Sequence, residues 1–400
     1  MATKAGVGMS RHHNPNIAGR EAAEQALQKA GVDRPDFVLM FGSIGYDQHS
    51  LVRAVRETTG GAPLCGCSAE GTIDGDNADE SNFSVLVTAI CSEELRWHHG
   101  IASGLLEDDS RAVGQRVAQE LLPHLSADTI GLFVFPDGLA NNLGDFIAGL
   151  EEKLPSDRFL PIWGGGAGNN YNFGEPTYQY CDDEIVSDGV SYALLSGKAQ
   201  AGWAISHGCI PIGGERKVTR SQGHVIYEID GKPAVEVLKE YLPDTHALTD
   251  DRDWMRYAIT LALSFRAPSY IKDEEYVVRG IPSVNLSEGS ITVQTDVQEG
   301  TSLWFSSRDK EKISIGLDRM ARQIKEQLEG DQPKLVLHFD CASRGKMMFR
   351  DQEKLQILKR FRQSVGPDVP WAGFYAYGEI GPVEEHNDRN LYTAVTLALS

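Results

Sequence analysis

The side chains best suited to chemistry lie in two stretches near the C-terminal end of the 400-residue chain. One reads His338-Phe-Asp340-Cys341-Ala-Ser343-Arg344-Gly345 and follows the apolar run Lys334 to Phe339. Arginine at a strand end suits a carboxylate, because its planar fork of donors matches the two oxygens. The same residue type serves equally as half of a structural salt bridge. Cys341 and Arg344 stand too close together for a phosphatase cradle. The other stretch is Trp371-Ala-Gly-Phe-Tyr-Ala-Tyr-Gly-Glu-Ile-Gly-Pro382. If extended, it points Tyr375, Tyr377 and Glu379 one way and Phe374, Ala376 and Gly378 the other. Two phenols and a carboxylate on one face can grip a polar ligand; an amphipathic strand ending in a turn is the plainer reading.

Two earlier glycine loops fall short of known chemistries. Gly66-Cys-Ser-Ala-Glu-Gly71 has its second glycine one residue too late for a nucleophile elbow, so neither Ser68 nor Cys67 reads as a nucleophile. Gly164-Gly-Gly-Ala-Gly168-Asn-Asn170 runs on into loop-like sequence with Pro176 and Tyr178, leaving no helix end to hold a pyrophosphate. Gly345-Lys346 is followed by Met347 and lacks the earlier glycine of a phosphate loop. The adjacent pairs His12-His13 and His98-His99 lack the helical spacing that favours chelation. Nothing pairs a nucleophile with a base, and no catalytic residue is assigned. The expectation is a binding protein, not an enzyme.

These residues must be positioned by elements that the chain states three times. An apolar run, a helical stretch, a Pro-x-x-Gly step and a second apolar run appear at Phe37–Phe41, Gln48–Thr58, Pro63–Gly66 and Phe83–Ile90. They appear again at Ile130–Phe135, Asn141–Leu154, Pro161–Gly164 and Val190–Leu195. The third set is Lys334–Phe339, Gln352–Ser364, Pro370–Gly373 and Leu391–Leu399. The glycines, set just after apolar strands, offer backbone that a ligand can approach closely. Tyr257–Ser264 is strand-like and hints at a degenerate further copy. The expected fold class is α/β: two domains built from repeated β-α-β-β units, with mixed sheets covered by helices. The domains are placed at 1–225, with halves at about 20–100 and 128–205, and at 226–400.

Further helices are expected at Asn16–Ala30, stopped by Gly31, at Asp108–Leu122, stopped by Pro123, and at Ala234–Tyr241. Ser290–Val297 alternates as a strand with one wet face. Acidic 244–253 and 272–275 read as solvated loops.

With 38 basic against 57 acidic residues, the net charge of −19 argues against nucleic-acid and anionic-membrane surfaces. The first twenty residues carry no apolar signal core, no run is long enough to span a bilayer, and a cytoplasmic location is expected. Six cysteines, Cys65, Cys67, Cys91, Cys181, Cys209 and Cys341, sit mostly in or beside apolar runs, as reduced packed thiols do.

At this point the chain resembles the FIST family of sensory proteins, with an N-terminal and a C-terminal FIST domain. The resemblance rests on Gly66-Cys-Ser-Ala-Glu-Gly71, on Cys341-Ala-Ser-Arg-Gly345 and on Gly373-Phe-Tyr-Ala-Tyr-Gly-Glu-Ile-Gly-Pro382 followed by Tyr392-Thr-Ala-Val. It departs from the family where Asn390-Leu391 stands in place of His-Asn before the Tyr-Thr step, with His386-Asn387 displaced. The resemblance implies sensing of a small ligand, usually taken as an amino acid. It also implies a partner acting in trans: a histidine kinase, a cyclic-di-GMP enzyme or a chemotaxis protein. Arg344 is then assigned to a ligand carboxylate and Glu379 to an amine, with Tyr375 and Tyr377 as walls, Cys341 beside them, and Ser68 and Glu70 closing the pocket. No cofactor is expected. The alternative that the resemblance also implies is a nitric-oxide sensor carrying haem b, with His12, His207, His338 and His386 among the available axial ligands.

Overall fold

The computed structural model describes residues 3–400 except 76, 107–108, 141, 173, 243–247, 252–253, 255–256, 258–259 and 270–273, and the side chain of residue 351. Parts of the acidic stretches read as loops, of the strand-like Tyr257–Ser264 and of the start of the Asp108 helix lie outside the described residues.

The chain begins with β1 (Lys4–Ser10), α1 (Pro15–Ala30), β2 (Phe37–Gly42), α2 (Gln48–Thr58), β3 (Leu64–Ser68), β4 (Gly71–Ile73), β5 (Ala78–Asp79) and β6 (Val85–Cys91). It continues with β7 (Leu95–Ser103), α3 (Ser110–Leu121), β8 (Thr129–Pro136), α4 (Leu143–Lys153), β9 (Ile162–Gly165), β10 (Gln179–Cys181), β11 (Glu184–Val186), β12 (Gly189–Gly197) and β13 (Ala201–His207). The central part holds β14 (Cys209–Pro211), β15 (Arg216–Gln222), β16 (Val225–Ile229), β17 (Lys232–Pro233), α5 (Ala234–Lys239), β18 (Leu261–Arg266), β19 (Tyr276–Arg279), β20 (Ser283–Asn285), β21 (Ser290–Thr292) and β22 (Ser302–Arg308). The last part holds α6 (Lys310–Gln327), β23 (Leu335–Cys341), α7 (Asp351–Val365), β24 (Trp371–Ala376), β25 (Glu379–Val383), β26 (His386–Asn390) and β27 (Thr393–Leu399).

Two compact units result. One comprises residues 1–206, 317–389 and 393–400; the other comprises 207–316 and 390–392. The chain therefore returns to its first unit after the second, and the units are cut differently from a single division at residue 225. The second unit is built on a nine-stranded sheet, β19-β18-β22-β15-β16-β21-β20, with β14 on β22 and β17 on β16. Its core gathers Trp254, Phe265, Phe305 and the apolar face of α5.

The first unit contains three mixed six-stranded sheets, in the orders β1-β6-β2-β3-β10-β11, β7-β12-β8-β9-β25-β26 and β13-β27-β23-β24-β4-β5. At the middle of each sheet is a parallel pair, β2/β3, β8/β9 or β23/β24, flanked by an antiparallel strand, β6, β12 or β27. The strand that follows each parallel pair leaves its own sheet: β4 pairs with β24, β10 with β3, and β25 with β9. The sheets thus exchange strands in a ring.

The Pro-x-x-Gly steps open the second strand of each parallel pair, and backbone, not ligand, fills the space beside their glycines. A Cβ on Gly66 would stand 1.8 Å from the carbonyl oxygen of Met40, one on Gly164 1.8 Å from that of Val134, and one on Gly373 1.9 Å from that of His338. Between the sheets, Phe41, Phe135, Phe339 and Phe374 stack edge and face, with Phe41 and Phe374 centroids 4.5 Å apart. Burying each such ring is worth roughly 2–3 kcal/mol. Helices cover the outer faces: α1 and α2 on the first sheet, α3 and α4 on the second, and α7 on the third through Phe361 against His338 and Trp371.

α1 ends at Gly31 in the left-handed conformation, as its sequence predicts, and begins on the Asn14 cap, whose side chain accepts from the backbone of Asn16 and Ile17. The stretch from Trp371 to Pro382 is two strands. Its alternation holds through Ala376 and then breaks at the turn Tyr377-Gly378, where Gly378 takes φ 95°.

Candidate functional site

The segments leaving β3, β9 and β24 converge. Backbone bonds tie Glu70 N–H to the Tyr375 carbonyl (3.1 Å), Gly168 N–H to that of Ser68 (3.0 Å), and Tyr377 N–H to that of Gly166 (2.9 Å). Strand exchange therefore brings residues from distant parts of the sequence within side-chain reach, all in the first unit.

Glu70 and Tyr377 form the first half of the polar cluster. The Tyr377 hydroxyl lies 2.6 Å from Glu70 Oε2 and 3.0 Å from Asn169 Oδ1, and accepts the Tyr171 N–H at 2.7 Å. The same N–H reaches Glu70 Oε2 at 3.0 Å. Asn170 and Tyr171 both hold left-handed backbone, φ 55° and 53°, which aims that N–H inward. The Tyr171 and Tyr377 rings stand 5.5 Å apart. Burial pushes Glu70 up to about 7, outweighing the hydrogen bonds from Tyr377 and Tyr171. Glu80, which accepts the Lys346 N–H at 2.8 Å, is raised to about 7 by the same cause.

Asp340 anchors the other half. Arg344 Nε lies 3.0 Å from its Oδ1, the Lys354 ammonium contacts its Oδ2, and His338 Nε2 stands 3.5 Å from Oδ2. Burial alone would raise Asp340, but the Arg344 and Lys354 charges hold it below the usual carboxylate range. Burial lowers both His338, whose Nδ1 is 2.8 Å from Thr396 Oγ1, and Lys354, which also donates to the Arg344 carbonyl. Lys354 lies 5.4 Å from the Tyr375 ring centre.

Arg344 Nη1 donates to the Ser206 carbonyl at 2.8 Å, while Nη2 meets no acceptor. Two buried cations thus share one carboxylate. Glu379 Oε2 accepts the Thr393 hydroxyl at 2.7 Å, but its Oε1 has no partner, and burial holds the group well above the ordinary range. Both side chains are wholly buried.

The residues singled out in the sequence fall as follows. Arg344, Cys341, Tyr375, Tyr377 and Glu70 belong to this cluster, and Glu379 senses the charges of Asp340 and Arg344 across it. Cys341 Sγ is 3.1 Å from Ser343 Oγ. Ser68 is a structural peg: its hydroxyl donates to the Gly168 carbonyl at 2.7 Å and accepts the Tyr178 N–H at 2.9 Å. Sequence reasoning missed Tyr171, Glu80 and Lys354. Lys354 alone carried a signal, a lysine on an otherwise apolar helix face beside Leu358 and Phe361. His338 and His207, two of the histidines weighed as axial ligands, are buried and already engaged, the latter 3.0 Å from Glu274. A surface cleft of about 520 Å³ opens elsewhere in this unit, lined by Ser10, Arg11, His12 and Asp74 among others.

Among the described residues no helix is long and apolar enough to cross a membrane. The FIST N domain model matches residues 36–232 and the FIST C domain model matches 234–382. An uncharacterized protein of Mycobacterium tuberculosis is 27% identical over 98% of both chains, and one of Methanocaldococcus jannaschii is 25% identical over 87% of this chain and 68% of its own. Among solved structures, a chorismatase aligns over 100% of this chain and 99% of its own, with TM-score 0.37 and 10% identity. A cyanuric acid hydrolase from A. caulinodans aligns over 99% of each chain, with TM-score 0.39 and 9% identity.

Proposed function

Because this chain belongs to the FIST family, whose domains are associated with sensing in signal transduction, we propose that it is a non-catalytic receptor for a small polar metabolite bearing a carboxylate and an amine, as an amino acid does. The observation that supports this most directly is the charge imbalance at Asp340. Arg344 and Lys354 together exceed its one negative charge, and Arg344 Nη2 is turned to no acceptor. A ligand carboxylate supplies the missing charge and the missing acceptor at once. Glu379, whose carboxyl burial holds above the ordinary range and whose Oε1 has no partner, is the partner for the amine; meeting an ammonium favours its ionised form. Tyr171 and Tyr377 are the walls next to Glu70.

The paired left-handed residues Asn170 and Tyr171 form the strained element that ligand entry displaces. Such a displacement is a change a partner protein can read, whether a kinase, a cyclic-dinucleotide enzyme or a chemotaxis component. The candidate nucleophiles are not activated. Ser68 Oγ is committed to two backbone bonds, and burial raises the Cys67 thiol far above its ordinary range.

Native mass spectrometry of the purified protein identifies what it retains, and calorimetry with that compound follows. Arg344→Ala is expected to weaken binding by roughly 30-fold or more, the cost of losing a charged partner for a carboxylate. Unchanged affinity in this variant removes Arg344 from the site, and recovery of a chemically altered ligand refutes the non-catalytic reading.

A further inference from the structure

Outside the polar cluster, the exchanged strand β10 meets β7 through an unusual set of donors. His99 stands on β7, Cys181 closes β10, and Asp182 follows in left-handed backbone, φ 52°, before the chain enters β11. The imidazole, thiol and carboxylate donor atoms all lie within 4.8 Å of one another, and all three residues are half-buried. His99 Nε2 is 3.2 Å from Asp182 Oδ2. The other carboxylate oxygen is engaged, accepting the Leu64 N–H at 2.9 Å and facing Arg56 Nη1 at 3.4 Å. These contacts fix the carboxylate with Oδ2 toward the imidazole, which is how outer partners orient metal ligands. Edge-on packing against Phe37, 5.5 Å between ring centres, holds the imidazole itself.

We propose that His99, Cys181 and Asp182 form a site for a zinc-like divalent transition metal, which ties the exchanged strand β10 to β7. One nitrogen, one sulfur and one oxygen donor suit zinc and its neighbours and disfavour magnesium and calcium, which take oxygen ligands. In a tetrahedral site with bonds of about 2.0–2.3 Å the ligand atoms stand roughly 3.3–3.8 Å apart, so side-chain rotation alone closes the set around an ion. The fourth position falls to solvent, which these half-buried residues leave within reach. A thiolate, not a thiol, is the metal ligand, so binding releases the Cys181 proton to solvent.

The test uses full-length protein stripped with a chelator and titrated with Co²⁺, then with Zn²⁺. One equivalent of Co²⁺ is expected to give a thiolate-to-cobalt charge-transfer band that Zn²⁺ bleaches. Cys181→Ser abolishes the band and lowers zinc affinity by about 100-fold, His99→Gln lowers it by about 10-fold or more, and Cys91→Ser changes neither. The substitutions are near-isosteric at half-buried positions, so the fold survives them, and far-ultraviolet circular dichroism verifies this. Failure to bind one equivalent, a band that persists in Cys181→Ser, or its loss in Cys91→Ser overturns the assignment.

Discussion

Replacing Glu70 by glutamine is expected to stabilise the protein near pH 8 while leaving it almost unchanged near pH 4. Burial holds the Glu70 carboxyl at about 7 against an ordinary value of 4.5. Between those values the folded protein keeps a proton that the unfolded chain has released. Stability therefore falls as pH rises across that window, and the loss is complete above it. The difference of about 2.5 units corresponds to roughly 3 kcal/mol at most. Glutamine cannot ionise, yet its carbonyl still accepts the Tyr171 N–H, so the variant keeps the packing and escapes the loss. Denaturant midpoints for both proteins, taken at unit steps from about pH 4 to about pH 8, give the difference curve. It should open steadily in favour of the variant as pH rises and level off near pH 8. A flat difference, or one favouring the wild type at high pH, refutes the reading of Glu70 as a carboxyl held protonated by burial.

Asp340→Asn leaves Arg344 and Lys354 buried without a counter-charge, and should cost about 3–5 kcal/mol, lowering the thermal midpoint by roughly 6–15 °C in a melting scan. Gly373→Ala drives a methyl into the His338 carbonyl, and should cost more than about 3 kcal/mol, seen as insoluble or poorly expressed protein. Glu80→Gln should repeat the Glu70 result with a smaller slope, because Glu80 keeps some contact with solvent.

Much of the fold was legible because its signals are local. Continuous apolar runs marked β2, β8, β23 and β27, which are covered on both faces. α2 was marked at both ends, and Gly31 correctly stopped α1. Strand exchange was not legible, because no residue in β4, β10 or β25 announces which sheet will receive it. That choice depends on pairings between chain segments far apart. The Pro-x-x-Gly steps were seen but given the wrong neighbour, since a sequence cannot say whether backbone or ligand occupies the space a missing Cβ leaves. In the polar cluster, Arg344, Glu379 and Tyr377 stood out by residue type and by their place next to apolar runs. Tyr171 did not, because its contribution is a backbone N–H fixed by a left-handed conformation that tyrosine seldom adopts. Glu80 follows the two-residue strand β5, with no pattern to mark it.

The ring of exchanged strands also dictates when the molecule can be completed during synthesis. Ile73 pairs with Gly373, across about three hundred residues, an entropic handicap of about 5 kcal/mol for a chain free to wander. β4 leaves the ribosome early, yet the edge on which it docks, β24, emerges about three hundred residues later. β9 likewise waits for β25. Until β24 and β25 emerge, the nascent chain carries unpaired edges open to strangers, the situation in which holding chaperones earn their place.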